Sequence, residues 1–368
     1  MMPNRVVMLA DFDYFFAQCE ELRNPALKDK PVVVGVYSGR TEISGAVSTS
    51  NYIARKYGVK SGMPLFLAQC KLEGTDAVFL PVDHVYYDQI SERIMGIFRG
   101  YATSLEQVSV DEAYLDVTEQ VEGKFEKAEE HARKMKAQVK AEVGISFTVG
   151  VGPNKLVSKI ACDSQKPDGL TIITIDEVGC FLSSLPVDRL LGVGHKISAK
   201  MESMGVKTIG DLAHVDIQRL VGIFGKVLGV YFFNAARGID NEPVQEAGEA
   251  GSIGRMGTLK QDTRDITVVM EKIDEQIVDI YKEFCTKNMS YRLVGISAVM
   301  TNLSGKSRSK TLEKPTKDKE TIHEVAQELF DKYLAETDLE IRRVGVRIGS
   351  FVKEERQQKQ LTSFFQSG

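Results

Sequence analysis

The residues of this chain best placed to do chemistry are carboxylates that close two apolar runs. One run is Val6-Val7-Met8-Leu9-Ala10-Asp11-Phe12-Asp13-Tyr14; the other is Ser109-Val110-Asp111-Glu112-Ala113-Tyr114-Leu115-Asp116. Carboxylates gathered at strand ends repel one another and are costly to desolvate unless a divalent cation compensates them. Oxygen-only ligation by few side chains suits Mg²⁺, which keeps its other positions for water and substrate phosphates. Two such strings point to two-metal phosphoryl chemistry. A lone Asp-Glu turn reads as readily as a solvated surface feature, because charged residues mostly sit outside.

Other chemistries find little support. The five cysteines (Cys19, Cys70, Cys162, Cys180, Cys285) have no paired spacing, which argues against a disulfide framework or a zinc site. The five histidines are isolated as well. With 43% hydrophobic and 27% charged residues the chain is ordinary for a globular protein. No apolar stretch approaches the roughly 20 residues that span a bilayer, and the N-terminus lacks the regions of a signal peptide. A cytoplasmic protein without a membrane partner is expected. The net charge of −4 does not exclude nucleic acid, because the local field at the phosphates matters rather than the sum.

The elements that must position the acids follow from periodicity. Residues 5–10 predict a buried strand, with a helix over about Phe15–Arg23 ending near Asn24-Pro25. Pro31–Tyr37, Ile43–Ser48 and Val78–Leu80 read as strands, with short helices between the last two. Asp83–Tyr101 is helical, 105–118 is a strand pair around the acidic turn, and 122–143 is a charged surface helix. Phe147–Gly152 is a strand followed by a helix from about Asn154, then a Lys166-Pro167-Asp168-Gly169 turn. The pattern implies an α+β core with helices backing an antiparallel sheet. Short helices with glycine-rich connections follow to Asp240, and 241–251 has the composition of a flexible linker. Beyond it the order β-α-β-β-α-β predicts a split βαβ domain.

Together the motifs resemble the Y-family DNA polymerases, in the DinB-type branch that copies damaged templates. The markers run through nearly the whole chain: Asp11-Phe-Asp-Tyr-Phe-Phe16, Ser38-Gly-Arg40, Ser50-Asn-Tyr-Ile-Ala-Arg-Lys56, Ser109-Val-Asp-Glu112, Asn154-Lys155, Lys166-Pro-Asp-Gly169 and Leu191-Gly-Val-Gly194. The resemblance implies a multidomain right hand: a ferredoxin-like palm (1–14 and 81–173), small fingers (15–80), and a helical thumb with a helix-hairpin-helix (174–240). A linker (241–251), a βαββαβ little finger (252–352) and a tail (353–368) complete it.

The same resemblance assigns roles. Asp11, Asp111 and Glu112, with the Phe12 carbonyl, would hold two Mg²⁺ ions. Asp13 and Asp116 remain structural or supporting. Thr49, Tyr52, Arg55 and Lys166 would bind the deoxynucleoside triphosphate, Arg55 through its guanidinium fork and Lys166 as a point charge. Phe16 would lie beneath C2′ and exclude a ribose 2′-hydroxyl. Small residues, Val36 and Ser48 among Gly35, Ser44 and Gly45, would roof the nascent base pair loosely, giving low fidelity. Gly192, Gly194 and Lys196 in the thumb would approach primer-template phosphates, with Ile223-Phe-Gly225-Lys226 a second such stretch.

In the little finger, Arg255, Arg308 and Arg343, among other bases on predicted strands, would face DNA while acidic helices face water. The tail Gln358-Lys-Gln-Leu361-Thr-Ser-Phe364-Phe365 matches the peptide that binds the ring-shaped sliding clamp, PCNA. Leu361, Phe364 and Phe365 would form its apolar plug, with Gln358 in a side pocket. A monomer recruited by the clamp and lacking a proofreading exonuclease is expected, and the clamp peptide and compact length lean towards an archaeal system. A nucleotide cyclase on a related palm is disfavoured by the thumb-like segment and triphosphate cations. A non-catalytic DNA scaffold is disfavoured by the intact acids.

Overall fold

The computed structural model describes residues 4–246, 248 and 250–353, so Gln358, Leu361, Phe364 and Phe365 lie outside the described residues. The chain divides into two units, one of residues 1–36 with 46–247 and one of 37–45 with 248–368. The first begins with β1 (Val7–Phe12), α1 (Phe15–Arg23), β2 (Val32–Tyr37), β3 (Gly45–Ser50), α2 (Tyr52–Lys56), α3 (Leu65–Lys71) and β4 (Val78–Pro81). It continues through α4 (His84–Arg99), β5 (Ser104–Gln107), β6 (Glu112–Asp116), α5 (Phe125–Glu142), β7 (Phe147–Gly152), α6 (Lys155–Ser164) and β8 (Leu170–Ile172). Four helices follow, α7 (Val178–Ser183), α8 (His195–Ser203), α9 (Ile209–Ala213) and α10 (Ile217–Ala235). The second unit holds β9 (Ser252–Thr263), α11 (Ile266–Cys285), β10 (Met289–Met300), β11 (Gly305–Thr316), α12 (Lys319–Leu334), β12 (Ile341–Gly349) and the short β13 (Val352–Lys353).

The first sheet has the order β5-β6-β1-β7-β8. It is mixed rather than wholly antiparallel, because β8 runs parallel to β7. Side chains alternate along a strand, and β1 uses both faces. Met8, Ala10 and Phe12 join the core with Ile94 and Phe98 of α4 and Ala128, Ala132 and Met135 of α5. Val7 and Leu9 instead meet Tyr114 and Cys162 on the other face. Asp11 shares the parity of Val7 and Leu9, so the strand delivers its carboxylate to the α6 side.

The glycines of β7 explain why α6 lies so near. A Cβ on Gly150 would collide with the Ser158 carbonyl and the backbone of Cys162. Only glycine permits that approach of helix to sheet. Asn154 caps α6 by accepting from the Val157 amide at 2.9 Å, and a side-chain cap of this kind satisfies an orphan donor.

The start of the stretch read as a linker is strapped down. Asp240 accepts from the Leu156 amide at 3.1 Å, and the Gln245 amide donates to Glu106 at 3.3 Å. Lys155 pairs with Glu106 at 2.9 Å and Glu242 at 3.4 Å. Val244 is buried against Val7, Leu9 and Tyr114. Polar composition conceals this because one valine supplies the anchor.

A second sheet of the first unit has the order β3-β2-β4. The loop at 37–45 belongs with the second unit, where Arg40 donates to the Leu259 carbonyl at 2.7 Å and pairs with Asp262. The sheet of that unit has the order β11-β10-β12-β9, with β13 beside β10. One face packs Val294, Ile296, Val344, Val346 and Ile348 against α11 and α12.

Candidate active site

Asp11 and Glu112 are cross-strand partners in the β1–β6 register, so their side chains share a face. One ammonium bridges them: Lys159 Nζ lies 3.2 Å from Asp11, 3.0 Å from Glu112 and 3.7 Å from Asp163. Lys166 Nζ reaches Asp11 at 2.5 Å and Asp163 at 3.0 Å. Burial alone would lower both ammonium pKa values, but the carboxylates outweigh it and hold them above the usual lysine range. Burial raises the Glu112 pKa, with Lys159 opposing. Asp111 stands apart from this pair: its backbone carbonyl accepts from the Phe12 amide at 2.8 Å. Its carboxylate accepts from Ser109 Oγ at 2.5 Å.

The donor set fits a hard dication. Two carboxylates on one face, balanced by lysines, offer oxygen ligands that a divalent ion could take from the ammoniums. Among the described residues, one trio of metal-capable atoms lies within 4.8 Å of one another: Asp11, Cys162 and Asp163. Cys162 does not serve there. Burial pushes its thiol pKa up, and the S–H points to the Thr148 carbonyl at 3.5 Å. A protonated thiol is a poor ligand.

A cavity of about 400 Å³ opens beside Asp11, lined also by Phe12, Phe16, Ser48, Thr49, Tyr52, Arg55, Asp111 and Lys166. It gathers most of the residues assigned to metal, sugar and triphosphate. Asn51 holds the cationic wall: it caps α2 through the Ala54 amide at 3.0 Å and donates to Glu21 at 3.0 Å. Arg55 lies over the Tyr52 ring at 4.7 Å and donates to the Ser50 carbonyl at 2.9 Å. Asp13 is buried and fastens the Lys166 loop, accepting from the Asp168 amide at 2.7 Å and Thr148 at 2.8 Å. Burial raises its pKa, and these two hydrogen bonds oppose the rise.

Glu112 lines a neighbouring cavity of about 1010 Å³ together with Tyr114, Lys155, Lys159, Gly192 and Tyr231. Gly192 has φ of 79° and Gly194 is the N-cap of α8. With Lys196 they are exposed at that helix end. Gly225 kinks α10 at φ of 81°.

Of the residues assigned to the nascent base pair, Ser48 lines the cavity beside Asp11 and Val36 is exposed at the end of β2. Gly35 is small because a Cβ there would meet Leu65, and Ser44 closes its own turn with Ser38 at 2.6 Å.

In the second unit Arg255 and Arg308 do not share the face of Arg343. Arg255 stands opposite Val346 and Arg308 opposite Ile296, both core residues, which turns them to the helix side. There Arg255 pairs with Glu283 at 2.6 Å and Arg308 pairs with Glu336. Arg343 has the opposite parity, and Arg347 lies with it, across Gly254 and Gly295. Sequence reading missed Lys159 and Asp163, although Lys155, Lys159 and Asp163 recur at the four-residue spacing of one helix face.

Comparison with known proteins places the chain in a family. Residues 10–163 match the model of the impB/mucB/samB family, and 250–362 match that family's C-terminal domain. Residues 188–240 match the thumb domain of DNA polymerase iota. A DNA polymerase IV of Nitrosopumilus maritimus is 43% identical, covering 99% of this chain and 100% of its own. DNA polymerase IV 1 of Methanosarcina mazei is 40% identical over 97% of this chain and 98% of its own. A Y-family DNA polymerase chimera of the Dbh type superposes with TM-score 0.90 at 37% identity, covering 95% of this chain and 100% of that one.

The chain belongs to the Y-family DNA polymerases. Within that family it is of the DNA polymerase IV, or DinB, type, a DNA-directed DNA polymerase. The expected α+β multidomain architecture is the one found, and the family uses divalent metal.

Proposed function

We propose that this site extends a primer on a DNA template with deoxynucleotides, two Mg²⁺ ions being held by Asp11, Asp111, Glu112 and the Phe12 carbonyl. Such ions, when bound, make the primer hydroxyl more acidic and neutralise charge on the departing pyrophosphate. What carries the reading is a single cavity in which Asp11 and Asp111 face Thr49, Tyr52, Arg55 and Lys166 above Phe16. Arg55 and Lys166 supply positive charge where a triphosphate would lie, and Tyr52 and Thr49 add hydroxyl donors. Lys166 lies between Asp11 and Asp163, and with Asp11 holding a metal it would be free to bind phosphate while Asp163 keeps it nearby. Phe16 selects deoxyribose. The primer strand enters by the larger cavity, between Glu112 and Gly192, where the α8 N-terminus receives a backbone phosphate. A similar solved structure is an insertion ternary complex of Dbh DNA polymerase, with TM-score 0.68 and 36% identity over 95% of this chain and 100% of that one, which supports this arrangement.

Low fidelity and synthesis across damaged bases would follow from the small Ser48 side chain at the cavity. The monomeric enzyme works in the cytoplasm, recruited to DNA by a sliding clamp through its tail. Primer extension tests the core of the reading. Asp111→Asn with Glu112→Gln should abolish nucleotide addition while primer-template binding persists; retained addition refutes it. Removing residues 358–368 should abolish clamp stimulation and spare unaided extension.

A further inference from the structure

Phe16 does not stand alone at the cavity wall. Its ring stacks on that of Tyr87, with centroids 4.4 Å apart and planes inclined by 20°, and His84 meets it edge-on at 6.0 Å. Tyr87 is 0% exposed and lies behind Phe16, away from the cavity lining. Its hydroxyl donates to Glu20 Oε1 at 2.7 Å. Glu20 sits one turn after Phe16 on α1 and is itself buried. The helices are joined again one turn on: Arg23 pairs with Asp83 at 2.7 Å and lies over the Tyr86 ring at 4.0 Å. Asp83 in turn caps α4 through the Tyr86 amide at 3.2 Å.

This arrangement matters because exclusion by shape is only as strong as the wall is firm. The terminal torsion of a phenylalanine is broad, so an unsupported ring could tip aside for an extra hydroxyl at small cost. A flat partner held from behind removes that freedom. The geometry points to Tyr87 as a positioning residue for sugar selection: pinned by Glu20, its ring backs Phe16 and sets how firmly the site rejects a ribose. The inference rests on the sugar-selecting reading of Phe16. It adds a residue that never touches substrate.

The test measures kcat/KM for a deoxynucleotide and its matching ribonucleotide on one primer-template, for the parent, Tyr87→Met, Tyr87→Phe and Phe16→Ala. Methionine fills the space with a flexible chain and no flat face. Tyr87→Met should lower the deoxy-to-ribo ratio by roughly 3- to 10-fold, the scale of an aromatic pair. Tyr87→Phe keeps the stack and should hold the ratio within about 2-fold of the parent. If Tyr87→Met lowers both efficiencies in proportion while Phe16→Ala lowers the ratio, Tyr87 is only structural and the reading of Phe16 survives. If Phe16→Ala leaves the ratio unchanged, that reading fails and the inference with it. A Tyr87→Phe loss equal to that of Tyr87→Met would overturn the role of the ring in favour of the hydroxyl. Melting curves establish folding first, and Tyr87→Leu serves the same comparison should the Met variant not fold.

Discussion

Lys159 is placed to stand in for a metal ion, and its removal should make folding depend on one. In the parent its ammonium touches Asp11 and Glu112, whose side chains are only 12% and 18% exposed. The β1–β6 register holds the backbone of Glu112 opposite Asp11, so the two carboxylates stay on neighbouring positions of one face. Lys159→Met keeps the apolar stem and deletes the charge, leaving Lys166 alone on Asp11. Breaking a fully buried pair costs about 3–5 kcal/mol, and partial exposure with Lys166 nearby reduces this to about 2 kcal/mol. For a unit of this size that is roughly 4–8 °C in the melting temperature. Calorimetry in EDTA should show this loss, and millimolar Mn²⁺ or Mg²⁺ should recover more of it in the variant than it adds to the parent, because the ion must displace both Lys159 and Lys166 in the parent but Lys166 alone in the variant. A Lys159→Met protein that melts with the parent in EDTA, or gains no more from Mn²⁺, would refute the reasoning.

Gly150→Ala should lower stability by about 3 kcal/mol, since the new methyl meets helix backbone rather than a yielding side chain; unchanged denaturant midpoints would count against the close packing of α6. Asp13 has a raised pKa in the fold, so as pH falls the folded state takes up its proton before the unfolded state does. Stability of the parent relative to Asp13→Asn should therefore improve from the folded pKa down to the ordinary carboxylate value, and a flat difference in acid melts would reject this. In DNA-binding titrations against salt, Arg343→Ala and Arg347→Ala should each reduce the log–log slope by about 0.9, the effect of one phosphate contact. Arg255→Ala and Arg308→Ala, already paired with helix carboxylates, should leave it nearly unchanged.

Much of the site was legible because its signals are local. Alternation along Val7–Phe12 places Asp11 on the face opposite Met8 and Ala10, and Asn51 and Asn154 announce the helices that follow them. Lys159 was harder to see. Its partners lie 148 and 47 residues away, and the local clues were only the four-residue spacing with Lys155 and Asp163 and the pair of glycines in β7 that invite a helix close. The facing of Arg255 and Arg308 failed for a different reason. β11 is a polar edge strand with no apolar face to fix its parity. On β9 only Ile253 and Leu259 are buried among the hydrophobic residues, and Gly257 interrupts the row to which Arg255 belongs. Val244 shows the same limit from the other side, a single apolar residue in a linker-like composition that finds a sheet face.

The strap from Asp240 to Gln245 gives the chain a mechanical route. Any tension carried along the backbone from the C-terminal side arrives first at Gln245, Val244 and Glu242, and these are anchored on Glu106, the sheet and Lys155. Load is thus delivered to the first turn of α6, whose rigid rod also bears Lys159 and Asp163, before it can reach the helices that precede Asp240. A tug on one end of the molecule is felt where the carboxylates meet.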